Sequence, residues 1–184
     1  MSADDNWEEI WNARADALSR VFGPMHDRIY HAVVPFFLGG QADVVAFHHH
    51  LSGVVFVTAE LTGEPDASQA TYELMICNRS PSDWHPNVIS RLAQYTLETH
   101  IGASETMDID SASPSNSQIK AFIFDTYRTF TLFGSECELR LVGITKAELD
   151  YKMEHGSDEL LSRLKAHGIY PYTDLERQSI PLDS

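Results

Sequence analysis

The run His48-His49-His50 is the first place to look for chemistry, because neutral imidazoles are common metal ligands. On a strand, His48 and His50 share one face and His49 points the other way. Two same-face histidines ligate a metal only when a carboxylate or a third histidine joins them. No such ligand sits at a regular spacing, although His26, His31 and His85 could approach in three dimensions. A polar strand with ordinary, partly exposed histidines explains the run as well. The metal-dependent enzyme built on His48 and His50 is thus the alternative reading, and no metal or cofactor is assigned.

Other catalytic patterns are missing. The sequence has no G-x-S-x-G elbow, no P-loop and no G-x-G-x-x-G, and neither Cys77 nor Cys137 has a neighbouring base. Both cysteines lie in apolar runs and read as small buried hydrophobes, with no zinc spacing or disulfide framework. The formal net charge of −14 argues against nucleic acid or an anionic membrane as partner, since both need clustered Lys and Arg. An acidic surface suits solubility, or steering toward a basic protein. The acidic N-terminus has no signal-peptide core, and no stretch reaches a membrane-spanning length, so the cytoplasm is the expected location. The sequon at Asn78-Arg79-Ser80 then reads as accidental.

The elements that must position any site follow from periodicity. Trp7, Ile10, Trp11, Leu18, Val21 and Phe22 form one helical stripe, with Asn6 and Glu9 as a capping box and Gly23-Pro24 as the stop. Strands are expected at 27–34, 44–50 and 54–61, the last two as a hairpin turning near Ser52-Gly53. Gly63-Glu64-Pro65-Asp66 reads as a loop. Residues 72–78 alternate, with Tyr72, Leu74 and Ile76 on one face and Glu73, Met75 and Cys77 on the other. Pro86 suits the first turn of a second helix reaching about His100, whose buried face is Ile89, Leu92, Ala93, Thr96 and Leu97. The polar segment 104–117 reads as a flexible loop.

Strands resume at 119–126 and 137–144. Thr145 with Glu148 makes a second capping box for a helix ending at Gly156. Ser157 caps the next helix, which Gly168 terminates, and residues 169–184 form an irregular tail. Strands come in groups and not in alternation with helices, so the fold class is α+β: one domain over 1–184, a mixed sheet packed by helices.

Three segments, in order, carry a resemblance. They are Tyr72-Glu73-Leu74-Met75-Ile76 leading to Trp84-x-Pro86 and Leu92-Ala93-Gln94-Tyr95, then Leu141 to Leu149, then Gly168 to Arg177. Over about residues 20–180 the chain resembles a suppressor of fused (SUFU) domain, in particular the stand-alone bacterial form. The resemblance implies a fold like the N-terminal domain of the animal protein and a role in binding another protein or a peptide. The animal relative adds a short peptide as a strand, clamped between two domains; the second clamping domain is expected to be missing here, so the two-domain grip does not carry over intact. Many bacterial relatives look like immunity proteins of polymorphic toxin systems, and an acidic immunity protein would attract a basic toxin.

Carried over residue by residue, Tyr95 matches the family tyrosine near the peptide groove. Glu105 or Asp108 stands for the acidic residue that follows it, although the glycine-acid pair of the family is absent. Trp84, at the helix entrance, fits a packing role and a partner anchor alike. Tyr95 has the same two readings.

Overall fold

The computed structural model describes residues 3–62, 71–80, 82–132 and 135–182, with backbone alone at 3–7, 37 and 135–140. A first helix, α1 (Ala3–Phe22), is followed by a short 3-10 turn (Phe36–Leu38). Then come strands β1 (Val44–Phe47), β2 (Val54–Thr58) and β3 (Tyr72–Asn78), helix α2 (Trp84–Tyr95), and strands β4 (Thr106–Asp108), β5 (Ile119–Leu132) and β6 (Ser135–Thr145). Helices α3 (Lys146–His155) and α4 (Ser157–Ala166) precede the tail.

The six strands form one sheet in the order β1-β2-β3-β6-β5-β4. β3 and β6 run parallel, with Tyr72 opposite Glu138, and every other neighbour is antiparallel. The expected α+β class with a mixed sheet is therefore present. Side chains alternate along each strand and so build two cores. On one face Tyr72, Leu74, Ile76, Phe56, Phe122 and Leu141 pack against Ile89 and Ala93 of α2. On the other face Val45, Val57, Met75 and Cys77 meet Leu18 and Phe22 of α1. Farther along that same face, Ile123, Val142 and Ile144 meet Leu160 and Leu164 of α4.

β3 lies in the middle and is buried throughout, so its polar member Glu73 is enclosed. Its carboxylate accepts from the Thr58 and Thr62 hydroxyls, both at 2.7 Å, and from the Thr62 N–H at 3.0 Å. Arg14 of α1, also buried, donates to the Thr62 carbonyl beside it. Burial pushes the Glu73 carboxyl above the usual range, against the opposing pull of Arg14 and the Thr58 and Thr62 donors.

Some of the predicted caps form and others do not. Thr145 and Glu148 form the expected reciprocal box, and Gly156 ends α3 at φ 91°. Asn6 is not an N-cap, because α1 already runs through it from Ala3. Ser157 is the first residue of α4 and not its cap, and its hydroxyl instead donates to the Ser104 carbonyl at 3.1 Å.

Several boundaries also move. Residues 27–34 do not form a strand. They contribute one isolated bridge, Tyr30 to Val44, after that of Met25 to Phe47 just before them, because exposed Asp27, Arg28 and Val33 have no inner face to bury. β1 stops at Phe47, so His48–His50 sit in a bend and not on a strand face. α2 ends at Tyr95, five residues early, where Thr96 turns its hydroxyl onto the Ala93 carbonyl. Segment 104–117 is not simply a loop: it holds β4, which pairs with Ala121–Ile123. β5 continues to Leu132, since Phe130 and Leu132 keep the alternation going. The loop at Gly63–Asp66 and the side chains of Trp7 and Cys137 lie outside the described residues.

The tail is irregular as expected, yet firmly tied. Arg177 grips buried Glu148 through two contacts, Nη1 to Oε1 at 2.7 Å and Nη2 to Oε2 at 2.6 Å. Thr145 N–H and Ile180 N–H donate to the same carboxylate at 2.9 and 3.1 Å. Burial alone would raise this carboxyl, but the Arg177 hydrogen bonds and charge, with the two backbone donors, hold it below its ordinary value. Two residues before Thr145 on β6, the Gly143 N–H donates to the Thr173 hydroxyl at 2.8 Å, and a side chain at Gly143 would collide with Thr173 and Ile119.

Two outcomes follow for stability. Glu148→Ala strands the buried Arg177 guanidinium and should cost about 3–5 kcal/mol in urea unfolding. Because the folded carboxyl is depressed, its contribution is full above the unfolded value of about 4.3 and fades as pH falls through the folded one. The wild-type protein should therefore lose this stability in acid, and Glu148→Gln should flatten that acid limb. An unchanged limb in Glu148→Gln would refute the assignment. Gly143→Ala, which overpacks the contact with Thr173, should cost about 1–3 kcal/mol by the same measurement, with Thr173→Ser relieving part of the loss.

Candidate functional site

Helix α2 enters from the turn after β3, and its period of 3.6 sets Trp84, Val88, Arg91 and Tyr95 along one side. Val88 is buried, whereas Arg91 and Tyr95 are exposed and Trp84 is half-buried. Trp84 packs on Phe122 with ring centroids 6.2 Å apart, and its indole N–H donates to the Ala112 carbonyl at 2.8 Å. Facing this side is β4 with the turn that follows it. Between them lies a groove of about 430 Å³, with Phe122 on its lining and Met107, Asp108 and Ile109 across from the helix.

The groove unites three of the four residues singled out by sequence: Trp84, Tyr95 and Asp108 all line it. Tyr95 is 48% exposed, a ring at the surface and not in the core. Trp84 is packed and also lines the groove. Glu105 lies elsewhere. It caps the tight turn before β4, where its carboxylate accepts the Gly102 N–H at 2.7 Å and it is not among the lining residues. Arg91 and Asn87 also line the groove and were missed by sequence; their signal was the helical spacing from Trp84 and Val88.

β4 adds a second feature. Glu105 accepts from Phe124 N–H at 3.0 Å and Ile109 N–H donates to Lys120 at 2.9 Å, so these residues bond inward to β5. By alternation the backbone groups of Thr106 and Asp108 face outward. Among the described residues no further strand pairs on that side. The opposite edge is occupied: His26 and Tyr30 donate to the Ala46 and Val44 carbonyls of β1 at 2.8 and 2.9 Å. One sheet edge is thus covered and the other open.

No histidine, cysteine or carboxylate pair lies on the groove. It offers an apolar trough, an aromatic ring, a carboxylate and a guanidinium at the rim, and a row of backbone groups. Elsewhere, His48 meets His26 with ring centroids 4.7 Å apart, and burial, then the charges of His26 and His49, push its pKa down. His50 lies 3.2 Å from the Tyr127 hydroxyl, and burial, then Arg128, pushes it down too. His31 pairs with Asp43, and His85 is buried against the Thr173 carbonyl. Among the described residues no three His, Cys, Asp or Glu side chains converge to hold a metal. Cys77 is buried, and burial pushes its thiol far above the ordinary range. No described helix is long and apolar enough to cross a membrane.

Comparison with known proteins gives no match among curated proteins. Solved structures do match. The chain of the Sufu–Fu complex crystal structure aligns with a TM-score of 0.73 and 12% identity, covering 92% of this chain and 91% of that one. A SUFU homologue from Neisseria gonorrhoeae aligns at 0.72 and 16% identity, covering 96% and 100%. Drosophila Suppressor of Fused aligns at 0.68 and 12% identity over 89% of this chain, which spans 49% of that protein. At such identities these likenesses establish the fold. The family described as Suppressor of fused protein (SUFU) matches residues 46–178, well over half of the sequence, and the chain therefore belongs to the SUFU family.

Proposed function

We propose that this protein is a non-catalytic binder that takes an extended segment of another protein across the groove and the open edge of β4. The observation that carries the reading is the convergence of Trp84, Tyr95 and Asp108 on one groove beside unpaired strand backbone. Strand addition draws affinity from main-chain hydrogen bonds and specificity from pockets for alternate side chains, and the groove supplies such a pocket. Aromatic rings are frequent binding hot spots. The solved relative whose structure is the Sufu–Fu complex supports a protein partner.

The concrete form of this reading is an immunity protein of a bacterial toxin system, acting in the cytoplasm as a single domain over residues 1–184. The net charge of −14 supports a basic partner, because opposite fields speed encounter. The continuous sheet, from covered edge to open edge, supports the single-domain reading.

The test is titration calorimetry with the product of a neighbouring toxin gene. Tyr95→Ala should weaken the complex by roughly tenfold or more, in keeping with a hot-spot ring. Asp108→Lys should slow association and reduce its dependence on salt. Absence of a stable partner among neighbouring gene products would sink the immunity form. Unchanged affinity in both variants would sink the groove itself.

A further inference from the structure

The two faces of β4 differ in what they offer a neighbouring strand. Met107 stands opposite Phe122 of β5, Thr106 opposite Ile123 and Asp108 opposite Ala121. Phe122 belongs to the core under α2, against which Met107 also packs, whereas Ala121 and Ile123 belong to the core under α4. Alternation therefore puts Met107 on the groove face of the sheet and the side chains of Thr106 and Asp108 on the other face. A strand laid along the edge alternates in the same way. Its residue opposite Met107 points into the groove, and the residues on either side of it point to the Asp108 face.

Electrostatics then sorts the side chains. Arg91 lines the groove and has no hydrogen-bond or ion-pair partner among the described residues. A cation turned into the groove would meet that guanidinium, and juxtaposed like charges are costly. The trough formed with Trp84, Val88 and Phe122 favours an apolar side chain there instead. On the other face the exposed Asp108 carboxylate is engaged only locally, by the Asp110 N–H at 2.8 Å. A cation directly across from it gains an opposite-charge cross-strand pair.

The backbone sets the direction. Thr106 and Asp108 each turn one N–H and one C=O outward, four groups in all. Turns bound the strand on both sides: the Glu105 N–H donates to the Gly102 carbonyl, and Asp108 itself accepts from Asp110. Three antiparallel residues engage all four groups, because the residues opposite Thr106 and Asp108 each exchange two bonds. A parallel strand needs five residues to reach the same four. On the reading of β4 as the binding edge, we infer that the partner segment runs antiparallel and carries three residues in order. From its N-terminal side these are a basic residue opposite Asp108, a large apolar residue opposite Met107 and a β-branched residue opposite Thr106.

The probe is a disulfide-closed hairpin peptide whose outer strand carries arginine–phenylalanine–threonine; closure reduces the cost of ordering it. It is titrated into the ¹⁵N-labelled full chain while hydrogen exchange is followed at the Thr106 and Asp108 amides. Both amides should become protected. The peptide should bind roughly tenfold more tightly than its phenylalanine–arginine–threonine isomer, which turns the cation into the groove. Against the reversed threonine–phenylalanine–arginine isomer, which moves the cation away from Asp108, the preference should be about threefold. Asp108→Asn, which keeps an acceptor for the Asp110 N–H, should erase that second preference, and Arg91→Gln should narrow the first. Equal binding of all three isomers with both amides protected would overturn the assigned pattern and leave strand addition at β4 standing. Tighter binding of the reversed isomer would overturn the direction. Protection by none of the peptides would overturn strand addition at β4, and the pattern with it.

Discussion

Glu148 is the point at which the chain's last third is fastened to its sheet. It is the third residue of α3, closes the box with Thr145 at the end of β6, and takes both arms of Arg177 from the tail. Arg177 in turn reaches the Gly143 carbonyl, while the Gly143 N–H goes to Thr173. An ionised carboxylate in a dry interior is tolerable only when its lone pairs are all engaged, and here four donor N–H groups engage them. The segments 141–149 and 168–177, which look like separate motifs in the sequence, are therefore two halves of one arrangement. Gly143 belongs to it because the tail passes too close for a side chain.

That arrangement also explains why an irregular tail holds its place. Residues 169–182 have almost no regular hydrogen bonding of their own, but Tyr172 bridges to Cys77 and Thr173 donates to the Cys77 carbonyl at 2.7 Å. The tail thus lies against the end of β3, and Ile180 completes the core under α4. Backbone groups that find no ladder are met by side chains from elsewhere, as buried main chain requires.

Much of this was legible in the sequence, and what was not has physical reasons. Alternation at 72–78 and the box at Thr145 and Glu148 are local signals, and both are present in the structure. The burial of Glu73 is not local, because it depends on Thr58, Thr62 and Arg14 arriving from other elements. β4 was hidden because three residues give too short a run for a period, and its polar, Ser- and Asp-rich surroundings signal a loop. His48–His50 continue an apolar strand in sequence, yet the bend ends it at Phe47, so the shared face needed for a metal never forms. At the groove, Trp84, Tyr95 and Asp108 were reached through resemblance, whereas Arg91 and Asn87 required the helix face to be seen. Glu105 and Asp108 are only three residues apart and each accepts a local backbone N–H, from Gly102 and Asp110 respectively, but only Asp108 stands on the groove lining.

The asymmetry of the two sheet edges bears on function more than any single side chain. An unpaired edge invites pairing with other chains, and folded proteins usually cover it, shorten it or charge it. At β1 this protein covers the edge with residues 25–30. At β4 it does the other two: the strand is three residues long and ends at the exposed carboxylate of Asp108. These devices discourage a second copy of the same acidic chain, whose own Asp108 and net charge would be brought close. They do not discourage a basic segment that places an apolar side chain beside Tyr95 and Trp84. An edge kept short and acidic beside an aromatic groove disfavours pairing with a second acidic copy and suits the basic segment proposed for it.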